Sequence, residues 1–178
     1  MSDVKLGLGR ATGMFYHAPA GTALPTDPTA ELASAWTHVG DVSDAGITLT
    51  LNKTTENIKN WANVVKRVIM TEHSETVQAP IMDTTAESLE TVVGSGNVTT
   101  ASGVTTVNLS DGALPPEEAF LWVMKDGDDT LMLGTTSGFI TALDDIVFAP
   151  GSVITWNATV SADAWTFMKD DGQVVTSP

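Results

Sequence analysis

The sequence predicts a mainly β chain of the α+β class, a β-sandwich or partial barrel with one flanking helix. Three observations carry that expectation. Apolar and polar residues alternate over Ile47 to Asn52 and again over Thr76 to Ile81, the period of a half-buried strand. The last third of the chain divides into short apolar runs separated by Asp, Gly and Pro, as the strands of a sandwich or barrel do. Thr84 to Val93 is the best helix: Thr84 or Thr85 can cap it, Glu87 lies in its first turns and Gly94 ends it.

In chain order, residues 1–35 read as an extended N-terminal arm, because Gly7, Gly9, Gly13, Pro19, Gly21, Pro25 and Pro28 interrupt any regular element. Within it, Met14 to Tyr16 can add a short edge strand. Residues 36–178 form one domain, a length that buries a sizeable core without staples. Trp36 to Gly40 opens that core, and Ser43 to Gly46 is a turn. Residues 54–75 fit two readings. Ile58, Trp61, Val65, Val68 and Ile69 suit a helical spacing, while the flanking strands suit a long hairpin with a mobile tip. We adopt the hairpin. Ser95 to Ser110 reads as a strand pair or loop. Ala119–Lys125 and Thr130–Gly134 flank a hairpin turn at Asp126 to Asp129. Phe139–Leu143, Ile146–Phe148, Val153–Val160 and Trp165–Lys169 complete the strands.

The composition narrows function. Twenty-two acidic against 8 basic side chains give a formal net charge of -14, which repels phosphate backbones and argues against adhesive nucleic-acid binding. It permits confinement of DNA without contact. Cysteine is absent, so no disulfide or thiolate metal site is available. The start has no secretory pattern, and no stretch approaches the length of a membrane span.

Side chains that could carry chemistry form no constellation. His17, His38 and His73 lie in separate segments without a metal-ligand spacing and read as surface or rim histidines. Gly7 to Gly13 misses the dinucleotide fingerprint, since position 12 is Thr and no strand precedes it. Asp126, Asp128 and Asp129 lack the remainder of a calcium loop, and Asp144-Asp145 and Asp170-Asp171 read as turns. No catalytic residue, metal site or cofactor is expected.

Two stretches, taken in order, resemble a known family. Ala18-Pro19-Ala20-Gly21-Thr22-Ala23-Leu24-Pro25, preceded by Ala11-Thr12-Gly13, is similar to an "APxGTxLP" arm. Trp36 to Gly40 followed by Ser43-Asp44-Ala45-Gly46 is similar to an aromatic residue, a glycine turn and a Ser-Asp/Glu-x-Gly turn. Ile58 to Trp61, Val64 to Arg67, Thr71 to Met82 and the helix over Ala86–Val93 continue the match. Together they resemble the major tail tube proteins of long-tailed siphophages, closely over residues 10–95 and by strand pattern beyond.

The resemblance implies subunits closed into hexameric rings, rings stacked into a hollow tube, and a negatively charged lumen through which genomic DNA is delivered. It implies no enzymatic activity. The partners it implies are further copies of the chain and other tail proteins such as the tape measure, tail terminator and distal tail proteins. It places the protein in the virion tail, made and assembled in the host cytoplasm, with no membrane contact. Strand alternation puts Thr48, Thr50, Asn52, Thr54 and Glu56, with Glu72, Ser74, Thr76 and Gln78, on the face opposite the core, and the resemblance makes these the lumen candidates. The alternative is a carbohydrate- or receptor-binding β-sandwich of the virion surface, with Trp36, Trp122, Trp156 and Trp165 stacking on sugars.

Overall fold

The computed structural model describes residues 6–9, 14–110 and 115–170. The parts of the expected arm at 1–5 and 10–13, and Asp171 of the expected last turn, lie outside the described residues. In chain order the elements are β1 (Leu8–Gly9), β2 (Phe15–Pro19), β3 (Thr37–Gly40), β4 (Thr48–Lys59), β5 (Val65–Ile81), α1 (Ala86–Val93), β6 (Val98–Ala101), β7 (Val104–Val107), β8 (Glu118–Asp126), β9 (Asp129–Leu143), β10 (Trp156–Ala162) and β11 (Thr166–Lys169). The fold is mainly β with one α-helix, as the alternation predicts.

Nine strands form one antiparallel sheet, ordered β3-β2-β8-β9-β10-β5-β4, with β1 joined to β8 and β11 to β9. Strand β9 organises it. Its first half pairs with β8 and β11, and its second half with β10. The sequence suggests two strands there, Thr130–Gly134 and Phe139–Leu143. The chain instead bends at Thr135, whose hydroxyl donates to the Ser137 carbonyl at 2.9 Å, and continues as one strand. A register shift opposite this point, between Glu118 and Phe120, marks the irregularity. Such a bulge sharpens local twist and bends a strand without ending it.

One face of the sheet, closed by α1, holds the main core. Phe15, Trp122 and Leu133 are direct cross-strand neighbours, and the Phe15 and Trp122 rings stack at 4.8 Å. Val77, Ala79 and Ile81 of β5, with Ala158 and Val160 of β10, complete the same layer, and Leu89, Val92 and Val93 of α1 cover it. The helix begins where the sequence expects: the Thr85 hydroxyl accepts from Ser88 N–H and the Ser88 hydroxyl accepts from Thr85 N–H, satisfying donors that the first turn leaves open.

The segment before Trp36 departs from the expected arm. Strand β2 lies inside the sheet between β3 and β8, because Phe15 and Ala18 are fully enclosed core residues. Beyond it, the chain folds back over the sheet's other face. Gly21 N–H donates to the Thr136 carbonyl at 2.7 Å, and Leu24, Leu32 and Trp36 pack with Leu121, Val123 and Met132 in a second, smaller core. Gly and Pro break regularity there without freeing the segment, since scattered apolar side chains still anchor it. The expected strand at Ile146–Phe148 is also absent. It lies in the loop between β9 and β10, and Val147 and Phe148 are exposed.

Candidate functional site

The part of the molecule that its own core does not explain is the β4–β5 hairpin. Its base belongs to the body: Val77 and Ala79 pair with Val160 and Ala158 of β10 and are fully buried. From Thr48 to Lys59 every residue of β4 is exposed. Strand β4 is the last in the sheet order, so among the described residues its outer backbone edge has no strand neighbour. The sequence predicts Leu49 and Leu51 to be half-buried. They are 38% and 56% exposed instead, because the hairpin runs past the edge of the body that would have covered them.

The tip is a built turn. Asn60 N–H donates to the Val64 carbonyl at 3.0 Å, Val64 N–H donates to Asn60 Oδ1 at 2.9 Å, and Asn63 N–H donates to the Asn60 carbonyl at 2.9 Å. Asn63 takes φ 60°, a conformation that asparagine tolerates better than most residues. Hairpin therefore prevails over helix for residues 54–75.

The register places the nine sequence-predicted residues. Thr48 faces Gln78, Thr50 faces Thr76, Asn52 faces Ser74 and Thr54 faces Glu72, so these eight share one face of the hairpin. Between Thr54 and Thr55 the register slips, leaving Thr71 unpaired and its hydroxyl donating to the Thr54 carbonyl at 3.2 Å. Glu56 stays on the same face but opposite Ile69, and Ile58 follows opposite Arg67. The face therefore changes along its length from hydroxyls and amides at the base, through Glu72 and Glu56, to Ile58, Ile69 and Arg67 near the tip.

The same face continues where sequence reasoning did not follow it. Thr159 of β10 sits directly beside Gln78, Ser161 beside Thr76 and Asn157 beside Pro80. Thr141 of β9 donates its hydroxyl to the Thr159 carbonyl at 3.3 Å. The alternation Asn157-Thr159-Ser161 is visible in the sequence, but only the pairing of β10 with β5 brings it beside the hairpin. The opposite face carries Leu49, Leu51, Val68 and Met70, all exposed, with His73 and Glu75 paired at 2.9 Å among them.

At the hairpin base a cleft of about 220 Å³ is lined by Ala45, Gly46, Thr48, Gln78, Pro80 and Asn157. Asp144 accepts from the Gln78 side chain, Asn157 donates to the Asp145 carbonyl, and Asp44 adjoins Ala45 in the turn closed by Gly46 N–H and the Ser43 carbonyl at 2.9 Å.

One histidine is more than a rim residue. His17 Nε2 lies 2.8 Å from Glu87 of α1, and Nδ1 lies 2.9 Å from Glu118 of β8. Burial alone would lower its pKa. The hydrogen bonds and charges of Glu118 and Glu87 outweigh burial and leave the pKa raised above 6.5. Trp36, Trp122 and Trp156 are buried, which removes three of the four stacking platforms that the carbohydrate-binding alternative requires. Among the described residues, no group of three or more His, Cys, Asp or Glu could hold a metal ion, and no helix is long and apolar enough to cross a membrane.

A family model described as "Phage tail tube protein" matches residues 8–172. The chain matches none of the curated proteins. Among solved structures it is similar to the cap that terminates the tube of the anti-feeding prophage, at 11% identity over 95% of this chain and 97% of that one, with a TM-score of 0.48.

Proposed function

The chain belongs to the phage tail tube protein family, and from that premise we propose that it is a non-enzymatic subunit that closes into hexameric rings, which stack into the tube of a long-tailed phage and deliver DNA through its lumen. The observation that carries this reading is the β4–β5 hairpin, with an open edge and two uncovered faces. The open β4 edge offers unpaired backbone donors and acceptors to a neighbouring copy. Leu49, Leu51, Val68 and Met70 continue the core face of β5 beyond the body. Each is still 38–60% exposed, so full burial by a neighbour would add roughly half of the 1.5–3 kcal/mol of a fully buried side chain, about 1 kcal/mol. Closure into a ring removes the edge altogether.

The polar face then turns inward. Thr48, Thr50, Asn52, Thr54, Glu56, Glu72, Ser74, Thr76 and Gln78, joined by Thr159 and Ser161 of β10, form the wall. Six copies at -14 carry roughly 80 formal negative charges per ring, so DNA passes without adhering. Other tail proteins that start, measure and end the tube are the remaining partners in the virion.

Analytical ultracentrifugation across concentration, followed by negative-stain microscopy, tests the reading: rings or tubes are expected. A persistent monomer that also fails to join tails in an infection-complementation assay would overturn it.

A further inference from the structure

Charged residues make up 17% of the chain, so a long run without any is uncommon here. Residues 91–110 and 146–162 are the two longest such runs. Each also carries exposed apolar side chains: Val104 and Leu109 in the first, and Val147, Phe148 and Val153 in the second, all more than half exposed.

The first run holds the β6–β7 ribbon. Its base is anchored, since Val98 and Val107 pack on the main core. The Asn97 side-chain amide donates to the Val93 carbonyl at 2.8 Å, and Asn108 N–H donates to the Asn97 carbonyl at 2.8 Å. Ser102 and Gly103 form the turn at φ 53° and 79°, the paired left-handed residues of a tight hairpin. From Thr99 to Thr106 every residue is exposed, and among the described residues neither outer edge has a strand neighbour. Proteins protect such edges with charge, proline or a bulge, and this ribbon has none of the three. The second run crosses as a loop from β9 to β10. It starts beside the β4 edge, where Gln78, the partner of Thr48, donates to Asp144. Ile146 and Ile154 tie it to the main core. Both runs therefore lie on the α1 side of the sheet, away from the polar face.

We propose that the β6–β7 ribbon of one copy seats on the 146–153 loop of the next copy in a ring, burying Val104 and Leu109 against Val147, Phe148 and Val153. Copies at -14 repel one another, so they meet at least cost where neither surface brings a charge. The inference rests on the ring reading, which also sets the placement. Helix α1, just ahead of the ribbon, packs against β3 at one end of the sheet order, whereas the loop adjoins β5 and β4 at the other. A neighbour joined along the β4 edge thus brings its ribbon to the loop. Ribbon and loop are different surfaces, so the contact is heterologous and closes where the rotation closes. It leaves the polar face open as channel wall.

The absence of cysteine makes the test direct. Ala101→Cys and Ala149→Cys, at two exposed positions, are combined in one full-length chain and oxidised after assembly. A cross-linked ladder ending at the subunit number of one ring is expected, with neither single variant extending beyond a dimer. Val104→Asp and Val104→Lys should each raise the concentration needed for assembly by at least about tenfold, because a charge of either sign must be desolvated. Unimpaired assembly of the Val104→Lys protein would mean that net repulsion alone governs this surface, and would overturn the contact. In rings or tubes, a lack of cross-links, or a ladder running past the subunit number of one ring, overturns the contact and leaves the ring reading standing. Cross-linked oligomers from a protein that forms neither rings nor tubes keep the contact and overturn the ring reading.

Discussion

At the residue scale, His17 is the group whose environment most changes its chemistry. A neutral imidazole has one N–H, so it can donate to only one of its two carboxylate neighbours. Protonation gives both Glu118 and Glu87 a donor and a counter-charge, which is why the folded pKa is raised. Its contribution to stability is therefore complete below pH 6.5, the unfolded value, and is lost as pH rises through the raised folded value. In urea unfolding followed across that window, wild type should lose stability relative to His17→Gln as pH increases, and a constant difference between them would refute the assignment. Gly134 is constrained by space. A Cβ there would lie 2.7 Å from Leu24 and 3.0 Å from the Phe120 carbonyl. Gly134→Ala should cost about 1–3 kcal/mol, because the covering segment must shift to accommodate it. Thermal unfolding measures this directly, and an unchanged Tm would mean that Leu24 does not hold that segment down.

At the element scale, helix and hairpin illustrate what was legible and why. The boundaries of α1 could be read because its signals are local: a capping Thr, an acidic first turn and a terminating Gly lie within ten residues. Thr85→Ala removes the hydroxyl that accepts from Ser88 N–H while leaving Thr85 N–H donating to Ser88 Oγ, and should destabilise the protein by about 1 kcal/mol, as measured by denaturant unfolding. The hairpin was ambiguous for a reason that the register now supplies. Bulges leave Thr71 and Lys66 unpaired. Each extra residue shifts the phase of the alternation, so apolar positions in Val65–Met70 drift from period two towards a helical spacing. Deleting Thr71 should preserve every cross-strand pair while reducing local twist. The subunit should keep its circular dichroism spectrum, and tubes built from it should change in diameter or fail to form. Other features depended on contacts distant in sequence. Phe15 stacks on Trp122, and His17 meets Glu118. Neither pairing leaves a local pattern, so in sequence the Gly- and Pro-rich segment around them reads as an arm.

At the scale of the whole molecule, the question is how a chain of net charge -14 arranges its polar surface. The inward face of the proposed ring is largely hydroxyl and amide at the base, with Glu72 and Glu56 placed further along the hairpin. Thr159 and Ser161 widen it across β10. Such a wall hydrates well and offers phosphates no cation until Arg67 near the tip. Replacing Glu56 and Glu72 with Lys would place roughly a dozen positive charges around each ring, from two sites in six copies. Phosphates would then meet counter-charges, and DNA contact would become favourable and salt-dependent. Neither residue lies on the face bearing Leu49, Leu51, Val68 and Met70, so tubes should still assemble. DNA delivery should slow, most at low ionic strength where the new attraction is least screened. Thr159→Lys should act in the same direction, because Thr159 lies beside Gln78 on that face. Delivery kinetics matching wild type at low salt, from tails confirmed intact by microscopy, would mean that this face of the sheet does not line the channel.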